Sequence, residues 1–261
     1  MNNFTFYSPT EFVFGKNTES QTGELCKKYG AQRVMIVYGG GSVIRSGLLS
    51  RIKESLNEAD MHTCELGGVQ PNPIDTKVYE GLEMARAFKP DFLLPVGGGS
   101  VIDTAKAIAV GYYYEGDFWD YYSGKAGPIE KALPVGTILT IAAAGSEGSP
   151  DSVITNEDGM IKRGASGDAI RPKFSVLNPE LTETLPAYQT ACGITDIIAH
   201  LYERYLTNTK DVEVTDRLIE ALILTMKNEA PKVIANLQDY EARANIMWAG
   251  MVAHNNIVGV G

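Results

Sequence analysis

The sequence predicts an α/β fold, with a parallel sheet covered by helices over residues 1–184 and an all-helical segment over 185–261. Three observations lead there. Short β-rich apolar runs alternate with amphipathic stretches as far as Leu177, the pattern of parallel strands joined by crossover helices. One tetrapeptide occurs twice, as Gly39-Gly40-Gly41-Ser42 and as Gly97-Gly98-Gly99-Ser100, each time between an apolar run and a helix-like stretch. From Tyr188 onward strand signal is scarce and helical periodicity takes over.

The elements follow in order. Val34-Met35-Ile36-Val37-Tyr38 reads as a strand that ends on the first glycine turn. Val43 to Ala59 reads as one amphipathic helix with Val43, Leu48, Ile52 and Leu56 near one face. Met61 to Leu66 reads as a strand, and Pro71-Asn72-Pro73 as a rigid turn, because proline fixes φ and removes a donor. Asp75 to Phe88 is helical with Asp75 as a candidate cap. Phe92 to Val96 is a strand into the second glycine turn, and Val101 to Val110 is a helix. Val135–Ile141 and Phe174–Leu177 are further strands, with a hairpin around Asn156-Glu157-Asp158-Gly159 between them. Past Leu185-Pro186, helices are expected over Tyr188–Leu206, Val212–Asn228, Pro231–Asn236 and Tyr240–Asn256. This second segment, of about 75 residues, is near the size at which one core is marginal. The apolar run Ile257-Val258-Gly259-Val260-Gly261 calls for something to pack on, so the helical domain reads as truncated.

Composition limits the function. A net charge of −9 excludes a general nucleic-acid surface, although a local turn can still hold an anionic cofactor. No apolar run is long enough to span a bilayer, and Met1-Asn2-Asn3-Phe4 lacks a basic start followed by an apolar stretch, so no membrane is expected and the location is read as cytoplasmic. Three scattered cysteines show neither metal spacing nor a disulfide framework.

Glycine turns at strand ends let backbone approach a ligand, and free N–H groups at a following helix suit phosphate. Two such turns in one setting point to a nucleotide pyrophosphate site. Asp103 and Lys106 follow the second turn, as a cap or phosphate contact or as structural residues. The strand end Thr137 to Glu147 is rich in small residues and hydroxyls, which suits a ribose or ring and equally a plain turn. Asp196 and His200, four apart on one helix face, form half a site for a divalent cation. A hydrogen-bonded or ionic pair is the commoner use of that spacing. The neighbouring Ile197, Ile198, Ala199 and Leu201 suggest a largely buried helix, where an unpaired Asp would be costly. His62 and His254 read first as structural histidines, with His254 able to face the same cleft. Tyr112-Tyr113-Tyr114 and Phe118-Trp119-Asp120-Tyr121-Tyr122 read as packing between layers or as a pocket wall.

Together these residues resemble a known family. Phe14-Gly15-Lys16-Asn17, Tyr38 to Ser42, Pro71-Asn72-Pro73, Gly97 to Asp103, Ala144-Gly145-Ser146-Glu147, Leu177-Asn178-Pro179 and Asp196-x-x-x-His200-x-x-Glu203 are similar, in order and spacing, to the N-terminal two thirds of iron-containing (group III) alcohol dehydrogenases. The resemblance is to the NADPH-dependent butanol dehydrogenase and aldehyde reductase branch. It implies a Rossmann-like nucleotide-binding domain and a helical domain, in the dehydroquinate synthase-like architecture, with the active site between them. It implies that Gly39, Gly40, Gly41 and Ser42 lie at the adenosine ribose and that Gly98, Gly99, Ser100 and Asp103 hold the pyrophosphate and neighbouring groups. Asn72, Thr140, Ser146, Lys162 and Leu181 would line the cofactor path, and Asp196 and His200 would be the first two ligands of Fe²⁺ or Zn²⁺. A small alcohol or aldehyde substrate and a homodimer follow from the same resemblance. Family members draw two more histidine ligands from helices beyond this chain, and Ala144 stands where a hydroxyl residue is common. No acid follows the first strand to meet a ribose hydroxyl, which predicts NADP(H) over NAD(H). Two other readings stand beside the dehydrogenase. One is a truncated, non-catalytic nucleotide-binding remnant. The other is a relative of glycerol dehydrogenase or dehydroquinate synthase, against which the Pro71-Asn72-Pro73 turn and first glycine turn weigh.

Overall fold

The computed structural model describes residues 1–259. Six strands, β1 (Glu11–Phe14), β2 (Arg33–Gly39), β3 (His62–Val69), β4 (Phe92–Gly97), β5 (Gly136–Leu139) and β8 (Phe174–Leu177), pair in parallel in the order β1-β8-β5-β4-β2-β3. Strands β6 (Asp151–Asn156) and β7 (Ile161–Ser166) form a separate antiparallel hairpin. Crossovers run through α1 (Thr22–Lys28), α2 (Ser42–Arg45), α3 (Leu48–Glu58), α4 (Asp75–Phe88), α5 (Gly99–Tyr113) and α6 (Trp119–Ser123). Then come α7 (Ala187–Tyr205), α8 (Glu213–Ala235) and α9 (Tyr240–His254).

The sheet is buried on both faces because side chains alternate along a strand. In β2, Met35 and Val37 enter one core with Leu66, Leu93 and Ile108. Val34 and Ile36 enter the other with Ile52, Leu94, Val96 and Phe174. Strand β4 is central and buried at every position. It tolerates Pro95 because its ladder to β5 is paired at Leu93↔Val135 and again at Val96↔Ile138, which leaves the missing N–H between these pairings. The helical layer has its own core of Ile194, Ile197, Leu201, Ile219, Met226, Val233 and Ile246. It joins the sheet where Met247 and Met251 meet Ile102, Leu139 and Leu177. Helix α7 approaches so closely that a Cβ on Gly193 would lie within 2.4 Å of the Ala142 carbonyl oxygen.

Four expectations are corrected. The helix expected over Val43–Ala59 is two helices, α2 and α3, because Gly47 takes a φ of +73° that breaks the first after one turn. The helices expected on either side of Pro231 are one, α8, with the proline inside it. Packing of Ile219, Met226 and Val233 on one face outweighs the local loss of a hydrogen bond there. Strand β1 and helix α1 carry too little periodicity to stand out in the sequence. Helix α7 buries only the Ile194, Ile197 and Leu201 face, so Asp196 keeps 46% of its side chain exposed. The aromatic connector is packing: Trp119 stacks on Tyr122 and meets Phe118 edge-on. Among the described residues no helix is long and apolar enough to cross a membrane. Of the apolar run at 257–261, Val260 and Gly261 lie outside the described residues.

Candidate functional site

A cleft of about 830 Å³ opens at the carboxyl ends of β2, β4 and β5, where ligands sit in doubly wound sheets. Gly39, Gly40 and Ser42 line it from the first turn, Gly98, Gly99 and Ser100 from the second, and Thr140 and Leu181 from later strand ends. The opposite wall includes Leu185, Gln189 and Cys192, the last two on α7. The two glycine turns therefore face one cavity.

The glycines do different work. A Cβ on Gly97 would meet Val101 at 2.6 Å, and one on Gly98 would meet Ile141 at 2.3 Å, so packing demands both. Gly41 holds φ +102° as the residue before α2 and does not line the cleft. A Cβ on Gly40 would meet nothing within 4 Å, and on Gly99 only the Ala144 methyl at 3.7 Å. Gly40 and Gly99 are thus the places where backbone lies open to a ligand. Gly99 also begins the 15-residue α5, whose free N–H groups suit a phosphate. The cavity size, this open backbone and the helix end fit a dinucleotide.

Two arginines that the sequence reading did not single out also line the cleft. Arg51 is paired with Glu19 at 3.2 Å. Arg45 folds its guanidinium over Gly41, with Nη1 at 3.4 Å from the place a Cβ would take, and has no side-chain partner among the described residues. A cation three residues beyond a glycine turn was the signal available in the sequence.

Besides Gly41, the structure redirects four more residues that the resemblance assigns to the cofactor. Asp103 and Ser146 do not line the cleft. Ser146 Oγ donates to Asp103 Oδ1 at 2.6 Å, and the Val153 amide donates to Oδ2 at 3.1 Å, so both carboxylate oxygens are taken. Burial raises the Asp103 pKa, and the Lys106 charge opposes that rise. Asn72, at φ +55°, accepts from Lys162 Nζ at 3.0 Å, which ties the β6–β7 hairpin to the turn beside the cleft mouth. These two meet each other at the surface, outside the cleft lining.

Beneath this floor lies Lys106, fully buried. Its ammonium donates to the carbonyls of Ser146, Ser149 and Asp151 at 2.7, 2.9 and 2.8 Å, and to Ser146 Oγ at 3.2 Å. Burial pushes its pKa down to about 8. The neighbouring Glu147 is 2% exposed, and burial pushes its carboxyl up to about 7. The folded state therefore keeps a proton that the unfolded chain releases near pH 4.5. This contribution is fully present below that value and declines as pH rises through about 7. Replacing Glu147 by glutamine removes the decline. Urea unfolding should show the variant ahead of wild type by up to about 3 kcal/mol at pH 8, with the gap closing at pH 4.5.

Asp196 and His200 project from α7 one and two turns past Cys192, with Oδ2 and Nε2 3.8 Å apart. Oxygen and imidazole donors on one helix face suit a borderline divalent cation such as Fe²⁺ or Zn²⁺. Glu203 lies 3.6 Å from His200 Nδ1 on the other side of the ring. His254, at the end of α9, packs against His200 with ring centroids 4.4 Å apart and the planes tilted by 36°. Arg204 Nη2 donates to its Nδ1 at 2.7 Å, and burial, with Arg204 next, pushes its pKa down to about 3. A guanidinium on that nitrogen opposes a cation there. Among the described residues no three His, Cys, Asp or Glu side chains are grouped to hold a metal, so Asp196 and His200 fit one as two donors.

The sequence profile of the iron-containing alcohol dehydrogenases matches residues 9–179, and that of the C-terminal part of the same family matches residues 190–260. The chain belongs to the iron-containing alcohol dehydrogenase family. It is 44% identical over 261 residues to the probable NADH-dependent butanol dehydrogenase 2 of Bacillus subtilis, covering 100% of this chain and 66% of that protein. It is 36% identical over 263 residues to the NADPH-dependent aldehyde reductase YqhD of Escherichia coli, covering 100% of this chain and 67% of that one. The crystal structure of NADH-dependent butanol dehydrogenase A from Thermotoga maritima superposes with a TM-score of 0.97 at 42% identity, over 100% of this chain and 65% of the other. The chain spans about two thirds of the length of these relatives.

Proposed function

We propose that the protein transfers hydride between NADP(H) and a primary alcohol or aldehyde of the butanol and butyraldehyde kind, with help from a divalent metal. The observation that carries the reading is the single cleft that opens both glycine turns toward α7, the helix of Asp196 and His200. When bound, the nicotinamide supplies the hydride and the cation polarises the carbonyl. The chain's own part is placement. Gly40 and Gly99 expose backbone to the cofactor's phosphates, Thr140, Ile141 and Leu181 wall its path, and Asp196 and His200 offer the cation an oxygen and a nitrogen.

The relatives' names divide on the cofactor, NADH for the butanol dehydrogenases and NADPH for the aldehyde reductase. Two features support NADP(H) here. No carboxylate lines the cleft at the first glycine turn, and the guanidinium of Arg45 is unpaired beside Gly41 among the described residues. An NAD-preferring site commonly sets an acid against the ribose hydroxyls. A cytoplasmic location and a homodimer go with this reading; sedimentation of the purified chain measures the second.

The test is loss of NADPH absorbance with butyraldehyde, with Fe²⁺ or Zn²⁺ added, on protein of confirmed 261-residue mass. Metal-dependent turnover that disappears in Asp196→Ala, with folding and NADPH binding unchanged, is the expected result. A second reading, a non-catalytic nucleotide-binding remnant, is favoured by the two-donor metal site. It predicts NADPH binding with neither stoichiometric metal nor turnover.

A further inference from the structure

Thr190 of α7 and Arg243 of α9 are buried, at 7% and 4% exposure. Each carries an atom with no hydrogen-bond partner, Thr190 Oγ1 and Arg243 Nη2. The rest of the guanidinium is in use: Nε donates to the Leu237 carbonyl at 2.6 Å and Nη1 to the Thr182 hydroxyl at 3.1 Å. That hydroxyl in turn donates to the Pro179 carbonyl at 2.7 Å. Both side chains line one cavity of about 20 Å³, walled otherwise mostly by aliphatic groups such as Ile141, Leu185, Val233 and Ile246. A polar cavity of that size holds one small occupant.

We propose that this cavity binds a single monoatomic, monovalent anion of halide class, held by the Arg243 Nη2–H and the Thr190 hydroxyl. Three arguments support it. The guanidinium is buried and forms no ion pair within 4 Å among the described residues; the charge of Glu183 reaches it from farther away and leaves Nη2 without a partner, so an anion in direct contact would offset its burial. The two unused groups can both donate, so together they call for an acceptor. A water molecule would accept from them but would aim hydrogens of its own at the aliphatic walls, whereas a halide has none to place.

The position gives the anion a structural consequence. It bridges α7 to α9 behind Ile141 and Leu185, which also line the nucleotide cleft. Occupancy therefore fixes the first turns of α7, where Gln189 and Cys192 form the cleft wall. The proposal does not depend on which cofactor the cleft takes or on turnover.

The test compares thermal unfolding of the full chain in chloride, bromide and gluconate at equal ionic strength, and locates bromide by anomalous scattering in crystals grown with it. A saturable rise in midpoint of about 3–5 °C is expected at a halide concentration ten times its Kd, with none in gluconate. The rise should disappear in Thr190→Val and in Arg243→Met, and a bromide peak should lie between Nη2 and Oγ1 in the wild type. Should Arg243→Met fail to fold, Thr190→Val and the wild-type bromide map decide. Equal midpoints in halide and gluconate, or density at the site without anomalous signal, would overturn the anion in favour of water.

Discussion

Lys106→Met is expected to destabilise the protein by about 3–5 kcal/mol, a large part of a normal folding margin. The ammonium is the shared donor for three backbone carbonyls and a hydroxyl within residues 146–151, and of these residues Ser146 and Ser149 are buried away from water. Methionine fills the same space and donates nothing. The carbonyls of Ser146, Ser149 and Asp151 would lose a charged partner, and the buried Asp103 carboxylate would lose the positive charge that opposes its burial. The effect should reach the cleft, because this loop starts at the strand end that supplies Thr140 and Ile141. Urea unfolding checks it, with Lys232→Met as the control. That lysine is exposed and its ion pair is with Glu229, so its loss should leave the unfolding midpoint nearly unchanged. Equal losses in the two variants would show that the buried donor is dispensable.

Arg45→Glu is expected to weaken NADPH binding by about 100-fold, or ~2.7 kcal/mol, and to leave NADH binding within a few fold. The substitution exchanges a free cation for an anion at the first glycine turn, where the adenosine ribose is expected. Only the cofactor that carries a 2′-phosphate should feel the full reversal. Arg51 serves as the contrast: it lines the same cleft but its charge is matched by Glu19, so Arg51→Gln should have the smaller effect. Titration of each variant with both nucleotides, followed by fluorescence, measures this. Equal weakening of NADH and NADPH would remove Arg45 from cofactor choice and leave only the lack of a carboxylate at the first turn in favour of NADP(H).

Much of the architecture could be read from residue order. The alternation of Val34 and Ile36 with Met35 and Val37, and the two repeated glycine turns, are enough to place a doubly covered parallel sheet and the end of it where a ligand sits. These are local patterns, set by the two-residue period of a strand and by the freedom of glycine. Asp196 and His200 share a helix face for the same kind of reason, since four residues make just over one turn.

Local pattern in the sequence was thus enough for strands β2 to β5, for the two open turns and for the paired donors on α7, but not for β1, α1, the break at Gly47 or the continuity of α8. Tertiary structure alone decided which polar residues reach the cleft. Asp103 and Ser146 carry the right chemistry to touch a cofactor, yet they face the hairpin because Val153 and the buried Lys106 lie on that side. Arg45 looks like an ordinary surface residue until Gly47 ends its helix and leaves its guanidinium over the first turn. The unpartnered atoms of Thr190 and Arg243 are 53 residues apart and meet only because α7 and α9 pack together. Local periodicity fixes where a side chain starts. Its partners come from elements far away in the chain, and the cost of leaving a buried polar group unpaired selects among them.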